Sequence, residues 1–134
     1  MRLLKSIVIP SSVTEYGKDL AASCNSLTSI VLQGNYKELR NSTCDSCESL
    51  VHVELPSTIT KIGYRAFSHC TSLSTLVLPT SVVEIGEYAF NSCKSLTSID
   101  IPTNVTLFGK GCFFNSGISR WKISNWKYPR HCFK

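Results

Sequence analysis

A short apolar motif of the form Leu-x-x-Ile-x-Ile returns six times along this chain, at Leu4 to Ile9, Leu27 to Leu32, Leu50 to Leu55, Leu73 to Leu78, Leu96 to Ile101 and Ile118 to Ile123. The step is 23 residues four times and then 22. Alternation inside each motif predicts a strand whose first, fourth and sixth positions face a core, while the third and fifth point outward. A constant period of this length predicts a solenoid, in which each unit is stable only against its neighbours and function lies on a repeated surface. Stacked parallel strands sit about 4.8 Å apart, so six of them make a sheet about 25 Å long.

The residues between the motifs fall into columns with separate physical jobs. Pro10, Pro56, Pro79 and Pro102 end the strand, because proline has no N–H for a further ladder bond. Val13, Tyr36, Ile59, Val82 and Val105 form one apolar column, and Tyr16, Leu39, Ile62, Ile85 and Phe108 a second. Gly17, Gly63, Gly86 and Gly109 mark a tight turn that needs either a positive φ or a close backbone approach. Phe67, Phe90 and Phe113 fill the far side of the core.

The runs Lys61-Ile62-Gly63-Tyr64-Arg65-Ala66-Phe67-Ser68-His69-Cys70-Thr71-Ser72-Leu73 and Glu84-Ile85-Gly86-Glu87-Tyr88-Ala89-Phe90-Asn91-Ser92-Cys93-Lys94-Ser95-Leu96 resemble the BspA-like leucine-rich repeat family, and the likeness extends over nearly the whole chain. The resemblance implies a curved right-handed solenoid with parallel strands on the concave side and irregular, 3-10 and short extended segments on the convex side. It also implies a binding or adhesion role at microbial or parasite surfaces, with no catalytic residues and no cofactor.

The second repeat departs from the pattern most, with Gln33 replacing the proline, Arg40 the glycine and Cys44 the phenylalanine. An Arg40 forced into a glycine's backbone shape would carry strain; drift of a tolerant loop is the simpler expectation. No capping segment precedes Leu4, so the first repeat is expected to expose a sticky edge that packs on a second copy or a partner, or to belong to a longer array. At the other end Trp121, Trp126, Tyr128 and Phe133 are expected to fold over the last strand, which makes residues 124–134 a cap.

With 134 residues and 43% apolar content, the chain is long enough for one core and is read as a single domain over 1–134. Its net charge of +5 is concentrated at one end. Lys110, Arg120, Lys122, Lys127, Arg130 and Lys134 meet no acidic residue, whereas residues 1–109 sum to −1. A basic end can attract acidic partners but also serves solubility, the reading preferred here. Because Trp121, Trp126 and Tyr128 interleave with these cations, nucleic-acid binding is a third and weaker idea, one that aromatic capping replaces with fewer assumptions. No apolar run is long enough to cross a bilayer. Met1 to Pro10 begins with a basic residue, as a secretory signal does, but Leu4, Ile7 and Ile9 hold the repeat register and Lys5 interrupts the apolar run; we read it as repeat, with nothing directing export.

Seven cysteines suggest metal or disulfide chemistry, and Cys44-Asp45-Ser46-Cys47 has the spacing of a redox motif. Register explains most of them. Cys24, Cys47, Cys70 and Cys93 share one column and are read as a buried packing ladder, Cys44 takes a phenylalanine position and Cys112 an alanine position. Side chains in a ladder point the same way, which suits bridge geometry poorly, and many unpaired thiols favour a reducing, cytoplasmic compartment over the cell surface that the resemblance suggests. Cys132, outside the repeat, is expected to be the one accessible thiol. His52, His69 and His131 show no metal spacing, so no metal site is expected. Asn41-Ser42-Thr43 and Asn104-Val105-Thr106 match the glycosylation rule, as chance allows in a chain rich in Ser, Thr and Asn.

His52 beside Glu54, with Asp100 two rungs away, is the nearest approach to a catalytic group. No nucleophile motif accompanies it and an open sheet offers no cleft, so no enzyme activity is expected. The preferred reading is an interaction module, scaffold or regulator that presents Val31, His52, Glu54, Val77, Asp100, Arg120 and Lys122 on the concave face to a protein partner. The alternative is a surface adhesin that binds host or matrix proteins.

Overall fold

The computed structural model describes residues 3–118 and 129–134. Its strands are β1 (Ser6–Ile9), β2 (Ser29–Leu32), β3 (Glu38–Leu39), β4 (His52–Glu54), β5 (Lys61–Ile62), β6 (Glu84–Ile85) and β7 (Leu107–Phe108), followed by one 3-10 turn, η1 (Arg130–Phe133). They form two parallel sheets, one ordered β1-β2-β4 and the other β3-β5-β6-β7. In both, each residue pairs with its counterpart one period on, as Ser6 with Ser29 and then His52, or Lys61 with Glu84. The chain is therefore the parallel-strand solenoid that its period predicts.

The core runs between the two sheets. Leu27, Leu50, Leu73 and Leu96, the first motif positions, are fully buried, and Phe67, Phe90 and Phe113 stack with ring centroids 5.6 and 5.8 Å apart. Phe133 of η1 continues this stack at 6.0 Å from Phe113. Because the rings repeat at nearly the strand spacing, one aromatic column spans several turns with no gap between rungs.

The strand-forming part of each motif is shorter than the apolar motif itself. β1 begins at Ser6 and leaves Leu4 40% exposed. The motifs at 73–78 and 96–101 keep their alternation of buried and exposed residues, yet a single bridge, Val77 to Asp100, is their ladder contact. Proline accounts for part of this. Gln33 donates its backbone N–H to the Ile9 carbonyl at 3.0 Å and prolongs the β1–β2 ladder, a bond that Pro56, Pro79 and Pro102 have no hydrogen to make. The motif at 118–123 lies outside the described residues except for Ile118, which is buried.

The turns separate the two causes that the sequence offers for the glycine column, a positive φ or a close approach. Positive φ occurs not at the glycine column but in two other columns, Asp19, Ser42, Arg65, Tyr88 and Gly111, and Ser23, Ser46, His69, Ser92 and Asn115. A left-handed residue costs about 1–2 kcal/mol when it carries a Cβ. The compensation is visible: Arg65 donates its N–H to Glu87 O at 3.0 Å, Tyr88 to Lys110 O at 3.0 Å and His69 to Asn91 O at 2.7 Å, so the unusual φ aims a backbone donor along the stacking axis. At Gly63, Gly86 and Gly109 the cause is close approach. A Cβ on Gly86 would lie 2.8 Å from Ile62 O, and one on Gly63 2.5 Å from Leu39 O, whereas Gly17 meets nothing. Arg40, at the same column, is not left-handed. Its N–H bonds the Tyr16 hydroxyl at 3.0 Å and its Nε the Tyr16 carbonyl at 3.2 Å, so a tyrosine side chain intervenes where other turns meet backbone to backbone and leaves space for a side chain.

Candidate functional site

The outward positions of the first sheet are set by strand alternation. Ser6, Ser29 and His52 pair in register as one column, and Val8, Val31 and Glu54 as the next. Between β4 and the motif at 73–78 no ladder pairing continues, and a cleft of about 670 Å³ lies there. Val31, His52, Glu54, Thr75 and Val77 all line it, together with Val51. Val77, held by its bridge to Asp100 beside the first sheet, is 83% exposed, an unusual state for a β-branched apolar residue.

His52 Nε2 lies 3.3 Å from Glu54 Oε1, and both side chains are more than half exposed. This is a solvated pair on an open surface, where an ion pair contributes little to stability. Asp100 belongs to the next rung through its bridge to Val77 and does not line the cleft. Arg120 and Lys122 lie outside the described residues, as do Trp121, Trp126 and Tyr128 of the basic end.

Sequence reasoning missed Val51. Its column reads Lys5, Thr28, Val51, Ser74 and Thr97, so Val51 is the one apolar member of a polar series. That contrast was available in the sequence as a sign of a locally apolar surface, and Val51 is 53% exposed at the cleft.

All seven cysteines are unpaired and buried. In the repeat column each thiol reaches a backbone carbonyl of the preceding turn: Cys47 Sγ to Ala21 O at 3.0 Å, Cys70 Sγ to Cys44 O at 3.1 Å and Cys93 Sγ to Phe67 O at 2.9 Å. Cys24 begins this column and is likewise buried. Burial pushes the Cys93 thiol up to about 12 and raises Cys24 and Cys70 as well, because a thiolate there would lose its hydration. The expectation of an accessible Cys132 is corrected: η1 turns it inward, with 0% exposure, under the last repeat turn. Among the described residues no group of three His, Cys, Asp or Glu side chains is placed to hold a metal ion. Of the two glycosylation matches, Asn41 Oδ1 accepts from the Tyr64 N–H at 2.9 Å, and Asn104 is exposed. Among the described residues no helix is long and apolar enough to cross a membrane.

Solved structures share this architecture. A leucine-rich repeat protein from Eubacterium ventriosum is 33% identical over 95% of this chain with a TM-score of 0.82, and one from Bacteroides ovatus is 28% identical over 98% with a TM-score of 0.78. The T. pallidum leucine-rich repeat protein is 28% identical over 85% of the chain, at a TM-score of 0.73. This chain spans 32%, 35% and 56% of those three chains respectively. No curated protein matches it. The model of the BspA type leucine rich repeat region matches six copies over residues 1–69 and 22–134. Together with the 23-residue register of both sheets, this match shows that the chain belongs to the BspA-type leucine-rich repeat family.

Proposed function

We propose that this chain is a non-enzymatic module, a scaffold or regulator, that binds a protein partner through the concave strand face, with Val31, His52, Glu54, Val77 and Asp100 as contact residues. Arg120 and Lys122, also expected as contacts from the sequence, lie outside the described residues. The supporting observation is the cleft of about 670 Å³ where ladder pairing lapses, because it combines exposed valines with the His52–Glu54 pair. Apolar anchors beside a few oriented charges are what a protein surface needs to be recognised. The seven unpaired thiols favour a reducing, cytoplasmic setting for this role.

Size limits the affinity. The five described motifs of six residues give a face of about 20 by 20 Å, roughly 400 Å², against about 800 Å² per partner in a stable complex. Binding by this segment alone is therefore expected to be weak and reversible.

The test is affinity capture from whole-cell extract with the wild-type chain and a Glu54→Lys/Asp100→Lys variant. Loss of a cytosolic protein with the variant, at unchanged melting temperature, supports the proposal. Equal retention by both forms moves the site to the convex side or the ends and overturns it. Recovery of host or matrix proteins alone replaces it with the adhesin reading.

A further inference from the structure

We propose that Cys112 and Cys132 are a disulfide-forming pair that covalently fastens the 129–134 segment to the last described repeat turn. One hydrogen bond repeats along the core and fixes their register. Ala21 N–H bonds Thr43 O, Cys44 bonds Ala66 O, Phe67 bonds Ala89 O and Phe90 bonds Cys112 O, each at 2.8 Å. Phe113 N–H then bonds Cys132 O at 2.7 Å. Cys132 thus takes the next place in the column Thr43, Ala66, Ala89, Cys112, just as Phe133 takes the next place in the phenylalanine stack. Neighbouring places in such a column are about 5 Å apart, inside the Cα separation of 4.4–6.8 Å that a disulfide spans.

Within the repeats, Cys47, Cys70 and Cys93 each give their S–H to a carbonyl, and Cys44 meets Cys47 three residues away in its own turn, whereas Cys112 and Cys132 meet thiol to thiol across two successive turns. That contact lowers the Cys132 thiol and raises Cys112, and because Cys132 sits on η1, release of that turn brings Cys132 to solvent first and makes it the attacking group. Tyr88 and Phe90 bond carbonyls two residues apart, Lys110 and Cys112, but Gly111 and Phe113 bond carbonyls one residue apart, His131 and Cys132; η1 thus keeps the place in the column while leaving the repeat's path, and the parallel side-chain direction of the ladder is not imposed on Cys132.

The oxidant is a low-molecular-weight disulfide, and oxidised glutathione serves as the probe. The Cys132 thiolate attacks one glutathione sulfur, forming a mixed disulfide as the first glutathione thiolate leaves. Cys112 then attacks the Cys132 sulfur and expels the second. The two thiol protons pass to the leaving thiolates, so one oxidised glutathione is reduced to two glutathiones for each protein disulfide formed. Both thiols are fully buried, and entry follows release of η1, which is held by Gly111 N–H to His131 O, Phe113 N–H to Cys132 O and the His131 Nε2 contact with Phe108 O at 2.6 Å.

The experiment treats the reduced full chain with oxidised glutathione, alkylates free thiols and digests with trypsin without reduction. Cleavage after Lys110, Arg120 and Arg130 isolates the fragments 111–120 and 131–134, each with one cysteine, so the bridge appears as one joined species two hydrogens lighter than the sum. The expected result is that species, with a rise in melting temperature on the order of 10 °C from closing a loop of this length. Both effects vanish in Cys112→Ala, a substitution that Ala66 and Ala89 show the column accepts. A stable glutathione adduct on Cys132, linkage of Cys132 to another thiol, or a joined species with no thermal shift would each overturn the proposal.

Discussion

Alanine at Gly86 and at Gly17 should move stability in opposite directions, although both glycines occupy the same repeat column. At Gly86 a Cβ would stand 2.8 Å from Ile62 O and 2.9 Å from both Gly63 C and Tyr64 N, all of them backbone atoms with no freedom to swing aside. The turns must separate, and the Gly86 N–H to Ile62 O bond at 2.8 Å is the first to stretch. Losing that bond costs about 0.5–1.5 kcal/mol, and forcing packed turns apart adds about 1–3 kcal/mol. A destabilisation of roughly 2–4 kcal/mol follows for Gly86→Ala. At Gly17 a Cβ meets nothing within 4 Å, and the backbone is not left-handed. There the main effect is a less flexible unfolded chain, which stabilises by about 0.4–1 kcal/mol. Urea unfolding of the two variants, followed by far-ultraviolet circular dichroism, gives both values directly. Stabilities of the two variants within about 0.5 kcal/mol of each other would show that inter-turn contact does not explain the glycine column.

Three further outcomes follow from the same structure. Gln33→Pro, although proline is the commoner residue of that column, should destabilise by about 0.5–1.5 kcal/mol through loss of the bond to Ile9 O, with Gln33→Ala nearly neutral; a more stable Gln33→Pro chain would refute the ladder argument. Phe90→Ala should cost about 3–5 kcal/mol, because it opens a cavity between Phe67 and Phe113 and breaks two ring stacks, and a loss below about 1 kcal/mol in the same urea assay would count against a continuous aromatic column. Finally, the Cys93 thiol, ordinarily near 9.0, is held up to about 12. A raised folded value means that its stabilisation is complete below pH 9 and is lost as pH climbs toward 12, at about 1.4 kcal/mol per pH unit. Cys93→Ala should flatten that alkaline slope in melts under reductant, and an unchanged slope would remove Cys93 as its source.

The sequence by itself determined the period, the family, the buried columns and the outward strand positions. Each repeat unit packs only on its neighbours, so a residue's environment depends on its place within 23 positions and one period carries nearly all the information. For the same reason Val31, His52, Glu54 and Val77 could be assigned to one face before any coordinates. Only the tertiary structure decided how successive turns meet. Asp19, Arg65, Tyr88 and His69 adopt positive φ because donors must point along the stacking axis, a requirement that Gly111 alone among those two columns meets with a glycine. The cleft beside Val51 and Val77 opens where pairing between rungs lapses, and strand alternation does not encode pairing length. Cys132 looked exposed because it lies outside the period. A segment without register has no column until it docks, and what buries Cys132 is contact with a turn some twenty residues earlier, a physical distance that local pattern does not contain.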